Sequence, residues 1–176
     1  MAGVSSESLA AALASLETKL AHASLELSTE LFGALRVIDG DAGLRRALTD
    51  PARGASDKAG LVAQLLRGKV SADAEATVAG LATSRWSSAR DIGDALEIVA
   101  ANAAIMVAER QGGSAGLERL EEDLFAFIRV VGSSHDLQRA LDDAQATAEA
   151  KGALALKLVP NASDASALLI RQAVAS

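Results

Sequence analysis

Leucines recur at helical spacing from the start of the chain, and this pattern predicts its first helices. In the stretch SLAAALASLETKLA they stand at i, i+4, i+7 and i+11, which is one face of a helix. These residues are Leu9, Leu13, Leu16 and Leu20. We therefore expect a first helix over Ser8–Ala21, and a second from Leu25 to Ile38 that stops at Asp39-Gly40.

Three shorter helices follow in the pattern. AGLRRALTDP reads as a short helix that Pro51 ends. Ser56 is the expected cap of DKAGLVAQLLRGK, with Gly68 as its stop, and Ser71 is the expected cap of a helix over Ser71–Arg85. The predicted structure so far is a chain of helices joined by short turns.

The longest predicted helix runs over residues 89–109 and is apolar on two sides. One face carries Ile92, Leu96, Val99, Ala103 and Met106, and a second stripe on nearly the opposite side carries Ile98, Ala101 and Ile105. A helix of this kind lies between two layers or presents one side to a partner. Sharing between two neighbouring bundles would explain the pattern equally well.

The chain repeats itself with an offset of 93 residues. LRRALTDP at Leu44–Pro51 returns as LQRALDDA at Leu137–Ala144, and residues 31–65 match residues 124–158 at 13 of 35 positions. Chance in so alanine- and leucine-rich a chain gives roughly three or four identities, so we interpret the match as a duplication. After Leu65 the copies slip by one residue.

The repeat and the helical spacing together predict an all-α fold of two tandem, sequence-related bundles. The first is expected over residues 1–110 and the second over residues 89–176, with the helix 89–109 shared. The second copy looks incomplete, because a sixth helix is expected where the chain ends.

Composition agrees with an all-α protein and narrows its function. Apolar residues make up 50% of the chain, aromatic residues 2%, and only two prolines occur. The absence of cysteine excludes disulfides, thiolate metal sites and thiol nucleophiles. A net charge of −6 argues against nucleic acid as a partner, and no apolar run reaches the ~18 residues of a membrane span. Without a secretory signal, we expect a soluble intracellular protein.

Catalytic and cofactor chemistry is not expected. His22 and His135 lie far apart with no ligand at metal spacing, and the acidic run Glu118–Asp123 reads as a solvated helix face. The glycine-rich pieces form neither a phosphate loop nor a dinucleotide fingerprint. We therefore predict no cofactor, no metal and no activity of the chain by itself. Trp86 is either an inter-helix plug or a binding hot spot.

The order of LRRALTDP, SDKAGLVAQLLRGKVS and LATSRWSSARDIGDALE resembles the δ subunit of F-type ATP synthases. Its mitochondrial counterpart is the oligomycin-sensitivity-conferring protein. The family's leucine-rich helix, LRxxLxDP element and KxxLxxxLLGxKVS stretch match Leu31–Ile38, Leu44–Pro51 and Lys58–Ser71. The tandem form, with SRW between the copies, resembles the longer δ subunits of actinobacteria.

This resemblance implies a stator role at the cytoplasmic face of the bacterial membrane, without insertion into it. The family's helical N-terminal domain grips N-terminal helices of α subunits on the α3β3 head. A C-terminal α/β domain joins the b subunit of the peripheral stalk, and we expect that domain to be missing here, which puts b binding in doubt.

The family binds the α helix in a groove between the first and fifth helices of a bundle. Here these helices are Ser8–Ala21 with Ser71–Arg85, or Asp91–Glu109 with Asp164–Val174. The predicted partner-binding residues are Leu9, Leu13, Ala72, Ala76, Ala79, Thr83, Trp86, Ile98, Ala101, Ile105 and Ile170. Small residues on the fifth helix would permit a close approach of the partner helix.

Two other classes of function stay open at this point. A small enzyme would need titratable groups placed together for acid–base work, and no spacing in the sequence places them so. A helical regulatory or interaction module unrelated to ATP synthase is the alternative. Its DNA-binding form would need a local basic patch, for which Arg36, Arg45, Arg46 and Lys58 are the candidates.

Overall fold

The computed structural model describes Met1, residues 3–19 and residues 24–175, and this part consists of helices joined by short turns and loops. The helices are α1 (Val4–Glu17), α2 (Leu25–Asp39), α3 (Ala42–Thr49), α4 (Ala55–Leu66), α5 (Ala72–Thr83), α6 (Asp91–Gly132), α7 (His135–Asp142), α8 (Ala148–Leu158) and α9 (Asp164–Ala175). The described residues contain no strand beyond one isolated bridge between Arg67 and Val70. The predicted all-α fold class is confirmed.

Short polar side chains start most of these helices, as their positions in the sequence predict. Ser24, Asp41 and Ser71 each accept a hydrogen bond from the backbone N–H three residues further on, at 3.0–3.4 Å. Ser134 and Thr147 do the same for α7 and α8. Each cap satisfies one of the amides that a helix start leaves without a partner.

Some predicted helix ends are wrong. The helix α4 begins at Ala55 with Gly54 as its N-cap, so Ser56 lies inside the first turn and does not cap it. The first helix begins at Val4 rather than Ser8, and the predicted end at Leu20-Ala21 falls outside the described residues. The helix α5 ends at Thr83, two residues before the predicted Arg85.

The element α6 is two helices that meet at Gly113. This glycine has φ +59° and ψ −143°, a left-handed conformation that L side chains rarely adopt. Three residues on, a Cβ at Gly116 would collide with the carbonyl oxygen of Ala108, so the chain bends tightly here. The first part begins at Asp91 rather than at the predicted Ala89, and it continues beyond the predicted end at Glu109.

The chain divides into two compact units, residues 1–103 (unit 1) and residues 104–176 (unit 2). The helix order follows the sequence repeat, because α7 starts and ends 93 residues after α3, and α9 starts and ends 92 residues after α5. The one-residue slip therefore falls within α8. The predicted bundles, residues 1–110 and 89–176 with a shared helix 89–109, stay a prediction.

The core of unit 1 is aliphatic and fully closed. Nine leucine, isoleucine and valine side chains in it are 0–1% exposed: Leu16, Leu31, Leu48, Val62, Val78, Leu81, Ile92, Leu96 and Val99. The helix α2 meets the first part of α6 closely, since the buried hydroxyl of Ser28 donates to the carbonyl of Ala100 at 2.7 Å. A short polar residue at that contact lets the two backbones approach.

The core of unit 2 is smaller. It joins the second part of α6 to α7, α8 and α9 through the buried residues Leu141, Ala155, Val159, Ile170 and Val174. Leu124, Phe127 and Val131 of α6 pack against this cluster and remain partly exposed. Unit 2 therefore holds its helices together with fewer fully buried side chains than unit 1.

Candidate partner-binding surfaces

The helices α1 and α5 of unit 1 pack against each other, as the predicted binding groove requires. Two hydrogen bonds tie the start of α1 to the chain that leaves α5. The hydroxyl of Ser8 donates to the carbonyl of Arg85 at 2.6 Å, and the amide of Ser87 donates to the hydroxyl of Ser5 at 2.8 Å. The N-terminal end of α1 therefore lies beside the C-terminal end of α5, and the two helices run antiparallel.

The predicted small-residue stripe lies on the outer side of α5. Its inner side is formed by the buried residues Ala74, Val78, Leu81 and Ala82. Of the stripe, Ala72, Ala76 and Thr83 are exposed and Ala79 is half-buried. The stripe is accessible and almost free of long side chains.

The two predicted residues of α1 are only partly covered. Leu9 and Leu13 are half-buried, whereas Leu16, one turn further on, is 1% exposed. Unit 1 thus leaves part of two leucine side chains accessible on a helix that contacts α5. An apolar strip beside a small-residue strip is the surface on which an amphipathic helix can lie.

Trp86 is half-buried just beyond the end of α5. Its indole Nε1 donates a hydrogen bond of 2.7 Å to the carbonyl oxygen of Leu81. The same carbonyl also accepts the backbone amide of Ser84 at 3.2 Å, so the ring adds a second hydrogen bond to the last turn of α5. This contact fits the interpretation of Trp86 as an inter-helix plug, while the part of the ring that remains accessible keeps the hot-spot interpretation open.

A pocket of about 560 Å³ opens beside Trp86, and sequence reasoning missed it. Its polar and charged lining comes from α3, α4 and α5 and from the loops that follow α3 and α5. The lining residues are Val4, Thr49, Pro51, Arg53, Ala55, Lys58, Thr83, Ser84, Arg85, Trp86 and Ser87. The pocket could not be found from spacing, because its cations are up to 32 residues apart in the chain.

The carboxylate of Asp91 fixes the loop between α5 and α6. It accepts a hydrogen bond of 2.5 Å from Ser5 and one of 3.2 Å from Ser88. The Ser5 hydrogen bond lowers the pKa of Asp91 below its ordinary value, partly offset by burial, which raises it, and aided by Ser88, which lowers it. Ser5 lies in the first turn of α1 and is completely buried.

The predicted stripe of the long helix is partly exposed. Ile98 is 36% exposed, and Ala101 and Ile105 are half-buried. The opposite face is closed, since Ile92, Leu96 and Val99 are completely buried. The boundary between the units falls between Ala101 and Ile105, so the stripe is not one surface of one unit.

Ile170 lies in the wrong place for a partner contact. It is 1% exposed and belongs to the core cluster of unit 2. An arginine at this position would disturb folding rather than report on docking. The exposed apolar residues of unit 2 lie elsewhere, on α6.

Unit 2 carries an open apolar groove of about 390 Å³ that the sequence did not single out. It is lined by Ile105, Leu117, Leu120, Glu121, Leu124, Phe125 and Ile128. Phe125 is 51% exposed and Ile128 is 60% exposed. Five of its residues, Leu120, Glu121, Leu124, Phe125 and Ile128, stand 93 positions after residues of α2. Among those α2 residues are Ser28 and Leu31, on the face by which α2 meets α6 in unit 1.

The carboxylates at the turns also follow the repeat. Asp50 accepts a hydrogen bond from the amide of Ala52 at 2.8 Å, and Asp143 accepts one from the amide of Gln145 at 2.9 Å. These two aspartates play the equivalent roles that the repeat predicts. Arg139 pairs with Asp136, whereas Gly43 stands at the position equivalent to that aspartate, so Arg46 has no matching ion pair and the two copies differ here.

The sequence predicts no cluster of metal-binding side chains, and the structure describes most of the chain. The described residues contain no group of three or more histidine, aspartate or glutamate side chains that could hold a metal ion. His135 lies on the surface with its Nδ1 3.3 Å from Gln138, and His22 lies outside the described residues. In the same part of the chain, no helix combines the length and apolarity needed to cross a membrane.

No protein-family model matches the chain. Curated relatives do, along nearly its whole length. An ATP synthase subunit delta from Pseudarthrobacter chlorophenolicus is 60% identical over 179 residues, covering 99% of this chain and 65% of the relative. One from Renibacterium salmoninarum is 58% identical over 177 residues, again covering 65% of the relative. A third, from Kocuria rhizophila, is 42% identical over 156 residues, which cover 89% of this chain and 58% of that relative.

The chain thus spans about 65% of the length of the first two of these relatives. The match runs through both copies of the repeat, since it covers almost all of the 176 residues. The resemblance based on LRRALTDP and its neighbouring stretches agrees with these names. The chain is thus similar to ATP synthase delta subunits along almost its whole length.

Proposed function

We propose that the chain acts as a non-catalytic stator subunit of the F-type ATP synthase. The observation that carries this proposal is the 60% identity to ATP synthase subunit delta over 99% of the chain. The place of action is the cytoplasmic face of the bacterial membrane, where the subunit is peripheral and belongs to the assembled enzyme.

The proposed partner is an N-terminal helix of an α subunit, and the proposed site is the surface of α1 and α5 in unit 1. Ala76 and Thr83 are exposed on α5, and Leu9 and Leu13 are half-buried on α1. Burying these apolar side chains under a partner helix contributes about 25 cal/mol for each Å² removed from water. The b subunit is a second partner that the family resemblance suggests, and no surface is assigned to it.

Titration calorimetry with a peptide of the α-subunit N-terminus tests this assignment. We expect the wild-type chain to bind the peptide and both Ala76→Arg and Ala79→Arg to weaken binding at least tenfold. A long charged side chain on the stripe blocks a close helix approach. Ala153→Arg is the matched control, because Ala153 is an exposed alanine in the middle of α8 in unit 2.

Equal affinity of all four proteins would move the binding site away from α1 and α5. The open groove of unit 2 then becomes the next surface to test, with Ile128→Arg as the variant, since Ile128 is exposed whereas Ile170 is buried. No binding by the wild-type chain would contradict the stator proposal for this length of chain. Circular dichroism of each variant separates lost binding from lost helical structure.

A further inference from the structure

The pocket beside Trp86 has a strongly one-sided charge. Its lining includes the three cations Arg53, Lys58 and Arg85 and no aspartate or glutamate. The whole chain carries 23 acidic and 17 basic side chains, with a net charge of −6. A purely cationic lining is therefore not what the average composition of this surface would produce.

Lys58 is the most informative of these cations, because it is buried. The residue is 6% exposed and lies in the first turn of α4. Within the described residues no carboxylate comes within the 4.0 Å of an ion pair with its ammonium group. No buried side-chain nitrogen among the described residues lacks a hydrogen-bond partner, so the ammonium group of Lys58 stays accessible from the pocket while it has no carboxylate to pair with.

The carbonyl end of α5 compensates this charge only in part. Thr83 and Ser84 line the same pocket at the end of that helix, where the helix dipole is equivalent to about half a negative charge. The three cations together carry three positive charges. An anionic group that enters the pocket would supply what the protein lacks.

The pocket is continuous with the proposed docking surface. Thr83 belongs to the outer stripe of α5 and also lines the pocket, and Trp86 is likewise common to both. Val4 brings the first turn of α1 to the same place. A helix that lies along α1 and α5 therefore has one of its ends at this pocket.

We propose that the pocket binds acidic side chains at one end of the partner helix that occupies the α1–α5 surface. This inference rests on the proposed function and adds the chemistry of the ligand to it. Apolar walls from Val4, Pro51 and Trp86 stand among the cations, and such a lining suits an amphipathic peptide end. Carboxylates in that position form charge-assisted hydrogen bonds with arginine and lysine.

The repeat assigns this chemistry to the first copy. Lys58 has a counterpart in Lys151, but Arg53 is replaced by Ala146 in the second copy. Lys151 is half-buried rather than buried. The acidic end of the partner helix should therefore bind unit 1 in preference to unit 2.

The test is a series of charge-neutralising variants in titration calorimetry with the α-subunit N-terminal peptide at low ionic strength. We expect Lys58→Met and Arg53→Gln each to weaken binding about tenfold, because each removes a charged hydrogen-bond donor. Two further peptides carry amides in place of the acidic residues, one at its N-terminal end and the other at its C-terminal end. We expect only one of the two to bind the wild-type chain about tenfold more weakly than the original peptide. This weaker-binding peptide should have the same affinity for the wild-type chain and for Lys58→Met.

Lys69→Gln is the matched control, since Lys69 is an exposed lysine of unit 1 that does not line the pocket. It removes one positive charge and should keep wild-type affinity. The stem of Lys58 is replaced by a side chain of similar shape in Lys58→Met, so we expect no fall in the melting temperature. A fall above ~5 °C, roughly 1 kcal/mol for a unit of this size, would show a structural role and contradict the proposal.

The outcomes separate this inference from the proposed function. If the wild-type chain binds the peptide and neither Lys58→Met nor Arg53→Gln changes the affinity, the acidic-end inference fails and the docking surface stands. Failure of the wild-type chain to bind removes both. Inorganic phosphate that quenches or shifts the Trp86 fluorescence at lower concentration than the peptide would assign the pocket to a small anion and overturn the inference.

Discussion

The carboxylate of Glu30 on α2 holds the start of α5 by binding Ser71 twice. Its Oε2 accepts the backbone amide of Ser71 at 3.0 Å and the hydroxyl at 2.6 Å. The same contact occurs in unit 2, where Asp123 accepts the amide of Ser163 and the hydroxyl of Ser166, both at 2.8 Å. In both copies an acidic side chain of another helix therefore stabilises a helix start. In unit 1 this contact orients α5, which carries the proposed docking surface.

Asp123 makes the stability of unit 2 sensitive to acid. Burial raises the pKa of its carboxyl. The hydrogen bonds from Ser163, Ser166 and Arg119 lower this pKa by more than burial raises it, so the folded pKa lies below the ordinary value. A lowered pKa means stability that is present above the unfolded pKa of about 4 and lost as pH falls through the folded value. We expect Asp123→Asn to cost about 1 kcal/mol at pH 7 and to match wild type near pH 2 in urea unfolding.

Asp142→Asn is the control for the loss of one negative charge, because Asp142 is exposed at the end of α7. It should leave the free energy of unfolding at pH 7 unchanged. An Asp123→Asn protein that stays less stable than wild type by the same amount at pH 2 and pH 7 would contradict the role given to the ionised carboxylate.

Phe32 and Phe125 are identical in the repeat and opposite in burial. Phe32 is 6% exposed and Phe125 is 51% exposed. We expect Phe32→Ala to lower the free energy of unfolding by about 3–5 kcal/mol and Phe125→Ala by about 1 kcal/mol or less. Urea unfolding of the two variants checks this, and equal losses would show that the groove of unit 2 is closed in solution.

The two neighbouring glycines of α6 should respond oppositely to alanine. Gly113 has φ +59°, where an added Cβ costs about 1–2 kcal/mol. Gly112 is helical with free space around its Cβ position, so Gly112→Ala should stabilise by about 0.5–1 kcal/mol. Melting temperatures that move in the same direction for both variants would contradict the break at Gly113.

Much of the fold followed from local patterns. The spacing of leucines predicted the helices, and the 93-residue offset predicted their order in the second half, because helix faces and capping residues are local features. The predicted cap at Ser56 was wrong, because α4 begins at Ala55 with Gly54 as its N-cap and Ser56 therefore lies within the first turn. The bend at Gly113 could not be predicted either, because the sequence does not tell which of the adjacent glycines Gly112 and Gly113 leaves the helical conformation.

The candidate site was only partly predictable. The small-residue stripe of α5 was visible as spacing, and the structure places it on an accessible face. The burial of Ile170 and the exposure of Phe125 depend on which neighbours cover each face, and periodicity does not contain that information. The cationic pocket brings together Arg53, Lys58 and Arg85 from separate elements, so only the folded chain reveals it.

The most direct test of the stator assignment is co-elution with the catalytic head. Size-exclusion chromatography would compare the chain mixed with a purified α3β3γ head from the same organism and with a head whose α N-terminal helices have been removed. We expect the chain to co-elute with the intact head and to elute alone beside the trimmed head. Separate elution from the intact head, or equal co-elution with both heads, would contradict the assignment.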